Sequence, residues 1–382
     1  MSLEKRYKEQ IANYLDVEAN KISLYWKGRV ALYTALKSMG ISDGDEVLLP
    51  AFTCVVVPNA IIYLGAKPVY VDIDEQTFCS SVDMIKLKMS PKTKCIIIQN
   101  FLGFSSNVDE IIALASKHKV YTIEDCTHGF GGRNKNIFNG LKSDCSFFSS
   151  QWNKPFSTGV GGILLINNEK LMQKASAITR SLKKPTLKSR LILHLLILSR
   201  KYLLHNWSYW MMLKLYRKLS LIGLVVGSSQ KEEICSIDMP KDYLTSSSSV
   251  QARFGKKELE LFSEKLKLRK NNGMKYNDWM KSNGKKFFNE QHLSNHSFLK
   301  YPVLVKERDF FISLCVKENI QLGDWFISPL HPVKENLNLW GLEETHFPVA
   351  KKISNHIVNF PTELKNMNSV LEFLNKNKDQ LL

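Results

Sequence analysis

The residue with the most chemistry within reach is Lys154, in the run Ser149-Ser150-Gln151-Trp152-Asn153-Lys154. An apolar segment, Cys145-Ser146-Phe147-Phe148, precedes that run. The glycine-rich turn Thr158-Gly159-Val160-Gly161-Gly162 follows and leads into Ile163-Leu164-Leu165-Ile166. A lysine held between two strand-like segments can reach a pocket floor while packing keeps water away. Desolvation lowers its pKa and exposes a neutral amine, which Schiff-base chemistry needs. The plainer alternative is a solvated lysine on a strand-to-loop edge, and residues upstream bear on the choice.

At the end of an apolar strand-like segment, Val120-Tyr121-Thr122-Ile123, stand Glu124-Asp125-Cys126-Thr127-His128-Gly129. An acid directly after a buried strand is costly to keep charged without a cationic partner. Asp125 either caps the next turn or holds a protonated heterocyclic nitrogen. Farther upstream, Gly28 opens a helical pattern with apolar residues at 32, 35, 36 and 39. A glycine there leaves free N–H groups at the positive end of the helix dipole, a site for anions, although an ordinary helix start reads the same way. Gly28, Asp125, Ser149 and Lys154, in that order, fit pyridoxal 5'-phosphate. Lys154 would form the Schiff base, and Asp125 would keep the pyridine nitrogen protonated so that the ring accepts electrons. The Gly28 turn and the Ser149 hydroxyl would bond the phosphate.

The elements that must position these residues alternate. Strand patterns at 46–50, 68–72, 95–99 and 120–123 are separated by helical patterns at 54–64 and 109–118, after an N-terminal amphipathic helix at 6–17. Residues 95–99 are apolar almost throughout, as in a strand buried on both faces. This alternation predicts an α/β fold, a mostly parallel sheet wrapped by helices, with ligands beyond the C-terminal ends of the strands. After Val250 a helix at 253–272, a strand at 298–305 and helices at 308–319 and 368–374 read as a smaller α+β unit. The expected division is a large cofactor-binding domain over 1–240 and a small C-terminal domain over 241–382. The chain's 382 residues suit such a pair.

The chain resembles the DegT-type nucleotide-sugar aminotransferases, fold type I pyridoxal-phosphate enzymes. The resemblance rests on Gly44-Asp45-Glu46-Val47-Leu48-Leu49-Pro50-Ala51-Phe52-Thr53, on Gly65-Ala66-Lys67-Pro68-Val69-Tyr70-Val71-Asp72-Ile73-Asp74, and on Pro91-Lys92-Thr93-Lys94 and Ile123-Glu124-Asp125. The lysine segment, Thr345-His346-Phe347-Pro348-Val349-Ala350 and Asn359-Phe360-Pro361 continue it, so that it covers residues 20–180 and 245–380. It implies the Schiff-base role for Lys154 and the pyridinium role for Asp125. It also implies a place near the cofactor ring for His128, and phosphate contacts for Gly28, Ser149 and Arg29, the last through its backbone. Some relatives are dehydratases with histidine in place of this lysine, and Lys154 argues against that branch. Cys54 departs from the pattern where some members stack an aromatic ring on the cofactor. Leucine and serines in Tyr243–Ala252 replace an asparagine and an arginine that many members send into a neighbouring subunit's site. The serine run could also be a flexible hinge. Trp325–His331 reads as a substrate-side loop in which His331 is structural.

The resemblance implies transfer of an amino group, from glutamate, to a nucleotide-linked keto sugar in polysaccharide biosynthesis, by a cytoplasmic homodimer. Two alternatives stay open: a pyridoxal-phosphate enzyme acting on a lipid-linked carbonyl at a membrane surface, and a non-catalytic pseudo-aminotransferase. Composition is that of an ordinary soluble protein, with 44% hydrophobic and 23% charged residues. Seven cysteines without paired or metal-ligand spacing speak against a metal site and for a reducing compartment. The first residues lack the apolar core of a signal peptide. The net charge of +17 is concentrated in an insertion at about 178–235, since no acidic residue occurs between Glu169 and Glu232. No nucleic-acid motif accompanies it. Its apolar run Leu191–Leu198 is too short for the roughly 20 residues of a membrane span, and Trp207–Lys218 follows with Trp, Leu and basic residues. They suit either a packed helical hairpin or peripheral membrane contact through 185–225.

Overall fold

A computed structural model describes residues 1–104, 107–203, 209–221, 231–323 and 325–382. The alternating segments form a seven-stranded sheet. Its spatial order is Ile22–Tyr25, Gly162–Ile166, Cys145–Ser149, Tyr121–Asp125, Thr93–Gln99, Glu46–Pro50 and Lys67–Val71. The strands from Cys145–Ser149 through Lys67–Val71 run parallel to one another. Gly162–Ile166 is antiparallel to both of its neighbours. A strand can return antiparallel through a plain loop, whereas a parallel return needs a crossover; here the loop between Ser149 and Gly162 carries Lys154.

Side chains alternate between the two faces of the sheet. Val47, Leu49, Ile97, Ile123 and Phe147 join one apolar cluster, which includes helix Gly28–Ser38. Leu48, Ile96 and Ile98 join another, with Val108, Ile111 and Ala115 of helix Val108–Lys117. Burial on both sides explains why residues 95–99 are apolar throughout. Strand Ile22–Tyr25, not anticipated from the sequence, closes the edge beyond Gly162–Ile166.

In the C-terminal part, strands Lys300–Leu304 and Ile357–Pro361 pair antiparallel, and helices Arg308–Lys317, Pro348–His356 and Asn368–Lys376 accompany them. The helix expected at 253–272 is two helices, Ser249–Glu260 and Phe262–Ser282. A Cβ on Gly255 would lie 2.4 Å from the Tyr7 ring, so this glycine lets the first of them approach the N-terminal helix. Thr53–Cys54 pairs in parallel with Leu330–His331, which brings the loop at 325–331 to the C-terminal end of strand Glu46–Pro50.

The serine run is not a hinge. Ser246, Ser247 and Ser248 are buried, Ser248 and Gln251 form a capping box at the start of helix Ser249–Glu260, and Ser246 N–H donates to Lys183 O at 2.8 Å. Gln251 Nε2 donates to Val160 O at 2.8 Å and to Trp26 O at 3.1 Å. The run therefore fastens the lysine loop to the sheet edge.

The insertion contributes helices Leu187–Leu203 and Tyr209–Leu221 and the short helix Lys231–Cys235. Leu193 and Ile197 pack with Trp26, Trp152, Val160 and Val250, and Tyr216 meets Trp152 edge-on. Trp207, part of the run noted above, lies outside the described residues. No helix among the described residues is long and apolar enough to cross a membrane.

Candidate active site

Asp125 ends its strand between Gln99 and Phe147 on the neighbouring strands. Its Oδ1 accepts the Thr127 N–H at 3.0 Å, so the capping reading holds for one oxygen. Burial pushes its pKa up, while Thr127 and the charge of Lys154 oppose that shift. Glu124, the residue before it, is spent on structure: its two oxygens accept from Asn100 Nδ2 and the Gly140 N–H.

Lys154 sits on a loop closed at its base. Ser150 N–H donates to Gly161 O, Thr158 N–H to Ser150 O, and the hydroxyls of Ser150 and Thr158 meet at 2.7 Å. Gly161 makes this closure possible, because a Cβ there would lie 2.0 Å from Ser150 Oγ. Arg269 adds a hydrogen bond to Pro155 O at 2.6 Å. The half-buried Lys154 has its pKa lowered by burial, against the raising effect of Cys54 and Asp125. Lys154 and Asp125 are thus near enough that each shifts the other.

His128 is buried and accepts the Leu102 N–H at Nδ1, 3.3 Å away. Burial holds its pKa well below the ordinary histidine value, with Lys154 and His331 adding to the shift. A neutral ring accepting at Nδ1 carries its proton on Nε2. The Trp325 ring stacks on His128, with centroids 4.6 Å apart and planes 15° apart, and Lys154 Nζ lies 5.2 Å from the Trp325 ring centre. An aromatic ring therefore does face the lysine, but it comes from the C-terminal loop. Cys54, at the position noted as a departure, is near enough to feel the same charges: its thiol pKa is pushed up by burial and pulled down by the Val56 N–H, then by Lys154 and Arg29.

Gly28 begins an eleven-residue helix. A Cβ there would stand 3.2 Å from Ser149 Cβ and 3.5 Å from Ser149 Oγ, so the glycine keeps a cradle open between the first helical turn and the serine. The Arg29 side chain has its own buried partner, Glu233. Burial alone would lower the Arg29 pKa, but Glu233 outweighs it. Glu233 and Lys27 were missed by sequence reasoning. Burial and the adjacent Arg29 push the Lys27 pKa down to about 8, against the pull of Glu233. A signal for Glu233 existed: Glu232 and Glu233 end the long stretch without acids.

Asp125 and Ser149 thus end neighbouring strands at the C-terminal side of the sheet, with Gly28 beside Ser149 and Trp325 between His128 and Lys154, where open α/β sheets bind ligands. The residues fit pyridoxal phosphate. A lysine with a lowered pKa lies within the electrostatic reach of a buried carboxylate, and the Gly28–Ser149 cradle offers N–H and O–H donors at a helix N-terminus.

The α/β fold, with its mostly parallel seven-stranded sheet, and this donor set point to one family. The chain belongs to the DegT/DnrJ/EryC1/StrS aminotransferase family, whose model matches residues 2–194 and 218–369. It is 40% identical over 147 residues to the GDP-perosamine synthase of Escherichia coli O157:H7, a match covering 38% of this chain and 40% of that protein. It is 36% identical over 151 residues to the spore coat polysaccharide biosynthesis protein SpsC of Bacillus subtilis, covering 39% of this chain and 38% of that protein. These matches span less than half the length of the curated relatives. Among solved structures, the aminotransferase TlmJ from Streptoalloteichus hindustanus superposes with a TM-score of 0.75 at 19% identity. That match covers 99% of this chain and 91% of TlmJ, and it supports the fold.

Proposed function

We propose that this chain is a pyridoxal-phosphate-dependent aminotransferase that moves an amino group from glutamate to the keto group of a nucleotide-linked sugar. It would act in the cytoplasm, as a homodimer, in polysaccharide biosynthesis. The observation that carries the reading is Lys154, its pKa lowered by burial and its amine within the electrostatic reach of Asp125. Family membership and the names of the two relatives support the sugar substrate.

Bound in this site, pyridoxal phosphate supplies a carbonyl to carry the amino group and a ring to take up an electron pair. The remaining work falls to the chain. N–H groups of the first turn at Gly28 and Arg29, with Ser149 Oγ, would hold phosphate oxygens. Asp125 would keep a proton on a ring nitrogen. Lys154 Nζ, its pKa lowered by burial, would remove the proton from the donor's Cα and later deliver one to the sugar carbon. One water supplies the keto oxygen with which the donor leaves as its 2-oxo acid, and the sugar's carbonyl oxygen leaves as water, so that one water is consumed and one released. His128 Nε2–H and the Trp325 face bound the space for the ring and exclude water.

The test is the absorbance spectrum of the protein with added pyridoxal phosphate, before and after glutamate, beside Lys154→Ala. A lysine-dependent visible band that glutamate bleaches, with amination of a nucleotide-linked keto sugar reduced about 10²–10⁴-fold in the variant, is the expected result. A wild-type spectrum without such a band overturns the cofactor reading. A normal band without turnover on any keto sugar favours the pseudo-aminotransferase.

A further inference from the structure

Helix Leu187–Leu203 has two unlike faces. Leu193 is fully buried against the lysine loop, where a Cβ on Gly159 would lie 2.6 Å from Leu193 Cδ1. On the other face Leu187 is 76% exposed, Leu191 60%, Leu195 56% and Tyr202 61%. At 3.6 residues per turn these four fall on one stripe, with exposed Lys188 and Lys201 on its opposite edges. Helix Tyr209–Leu221 repeats the arrangement: exposed Met211 and Leu215 stand one turn apart, and exposed Lys214 and Lys218 line the same side. Isolated exposed leucines need no explanation. A stripe of them bordered by lysines on two successive helices does.

We infer that this face is a docking surface for an anionic lipid bilayer, with the leucines entering the headgroup boundary and the lysines meeting acidic headgroups. Two observations select this occupant. The face belongs to a stretch with no Asp or Glu from residue 170 to residue 231, so it complements a surface of negative charge; each lysine near such a surface adds to binding. The same fact disfavours a second copy. A two-fold contact sets a patch against itself, and here lysine would oppose lysine with no acid in the segment to separate them. No helix among the described residues is long and apolar enough to span a bilayer, so the contact lies in the interface plane. The family model leaves residues 195–217, which carry much of this surface, unmatched. The inner face of the same helix rests on the loop that carries Lys154, so docking places the membrane one helix diameter from the lysine loop.

The test is flotation of the pyridoxal-phosphate-loaded full chain with phosphatidylcholine vesicles and with phosphatidylcholine/phosphatidylglycerol vesicles, at low and high salt. Flotation only with the acidic vesicles, abolished by salt, is expected. Leu191→Asp with Leu195→Asp, and separately Lys188→Glu with Lys201→Glu, are each expected to reduce bound protein about tenfold or more. An unchanged lysine-dependent absorbance band would show that both variants remain folded. Absence of flotation in the wild type, or flotation equal in wild type and variants, overturns the inference. So does a stripe variant that changes the sedimentation coefficient and leaves vesicle binding intact, which would assign the face to a second copy. None of these readouts uses turnover, so the inference can fail independently of the proposed reaction.

Discussion

Helix Gly28–Ser38 and helix Leu187–Leu203 both carry leucines and both border the segment around Lys154, yet water meets them differently. In the first, every residue except Lys37 is buried, the charged Arg29 included. In the second, Leu193 is fully buried while Leu191 and Leu195, two residues to either side, stand in solvent. The first helix lies between the sheet and other helices and must satisfy its only interior charge with Glu233. The second holds the lysine loop by one stripe and leaves the rest free for another surface. Apolar content alone does not separate a helix that builds a site from one that leans on it; the partner elements do.

The comparison can be pressed hardest at Arg29. Glu233→Leu leaves the guanidinium buried without its carboxylate, and removing one partner of such a pair costs about 3–5 kcal/mol. A fall of that size in unfolding free energy, read from urea melts, is expected for the single variant. Arg29→Met combined with Glu233→Leu should recover most of it, because an apolar pair removes the buried charge altogether. If the double variant is as unstable as the single, Glu233 acts through something other than Arg29.

The second helix makes a smaller, two-sided prediction. Leu193→Ala should cost about 2–5 kcal/mol as a buried leucine, and Leu191→Ala should stay within about 0.5 kcal/mol as an exposed one. Equal costs for the two would mean that the helix is not seated by the Leu193 stripe.

Much of the fold was legible because its signals are local. Residues 95–99 read as a strand buried on both faces, Gly28 as a helix start and Asp125 as a strand end, each from a few neighbouring residues. Lys154 was legible for the same reason, standing between an apolar segment and a glycine-rich turn. What escaped depends on partners far along the chain. Nothing near Arg29 announces Glu233, and nothing near His128 announces the Trp325 ring stacked on it. Ile22–Tyr25 is too short for its alternation to stand out. The serine run has the composition of a linker, and its burial comes from hydrogen bonds through Gln251 to Trp26 and Val160.

The finest distinction between the two regions is electrostatic. Lys154 has its pKa lowered chiefly by burial, while the negative charge of Asp125 pulls it back up. Only the neutral amine attacks a carbonyl, so the rate of cofactor capture by the empty protein should rise with pH. Its midpoint should lie below the ordinary lysine value of ~10.4. Asp125→Asn removes a charge that favours the protonated amine, so the midpoint should move lower still, even though the variant holds the cofactor ring less well. Lys188→Gln, on the outer helix, should leave the midpoint where it was. Stopped-flow absorbance at a series of pH values measures all three proteins. An upward shift for Asp125→Asn would mean that the carboxylate acts on Lys154 by changing its burial, since direct charge can only lower the midpoint when removed.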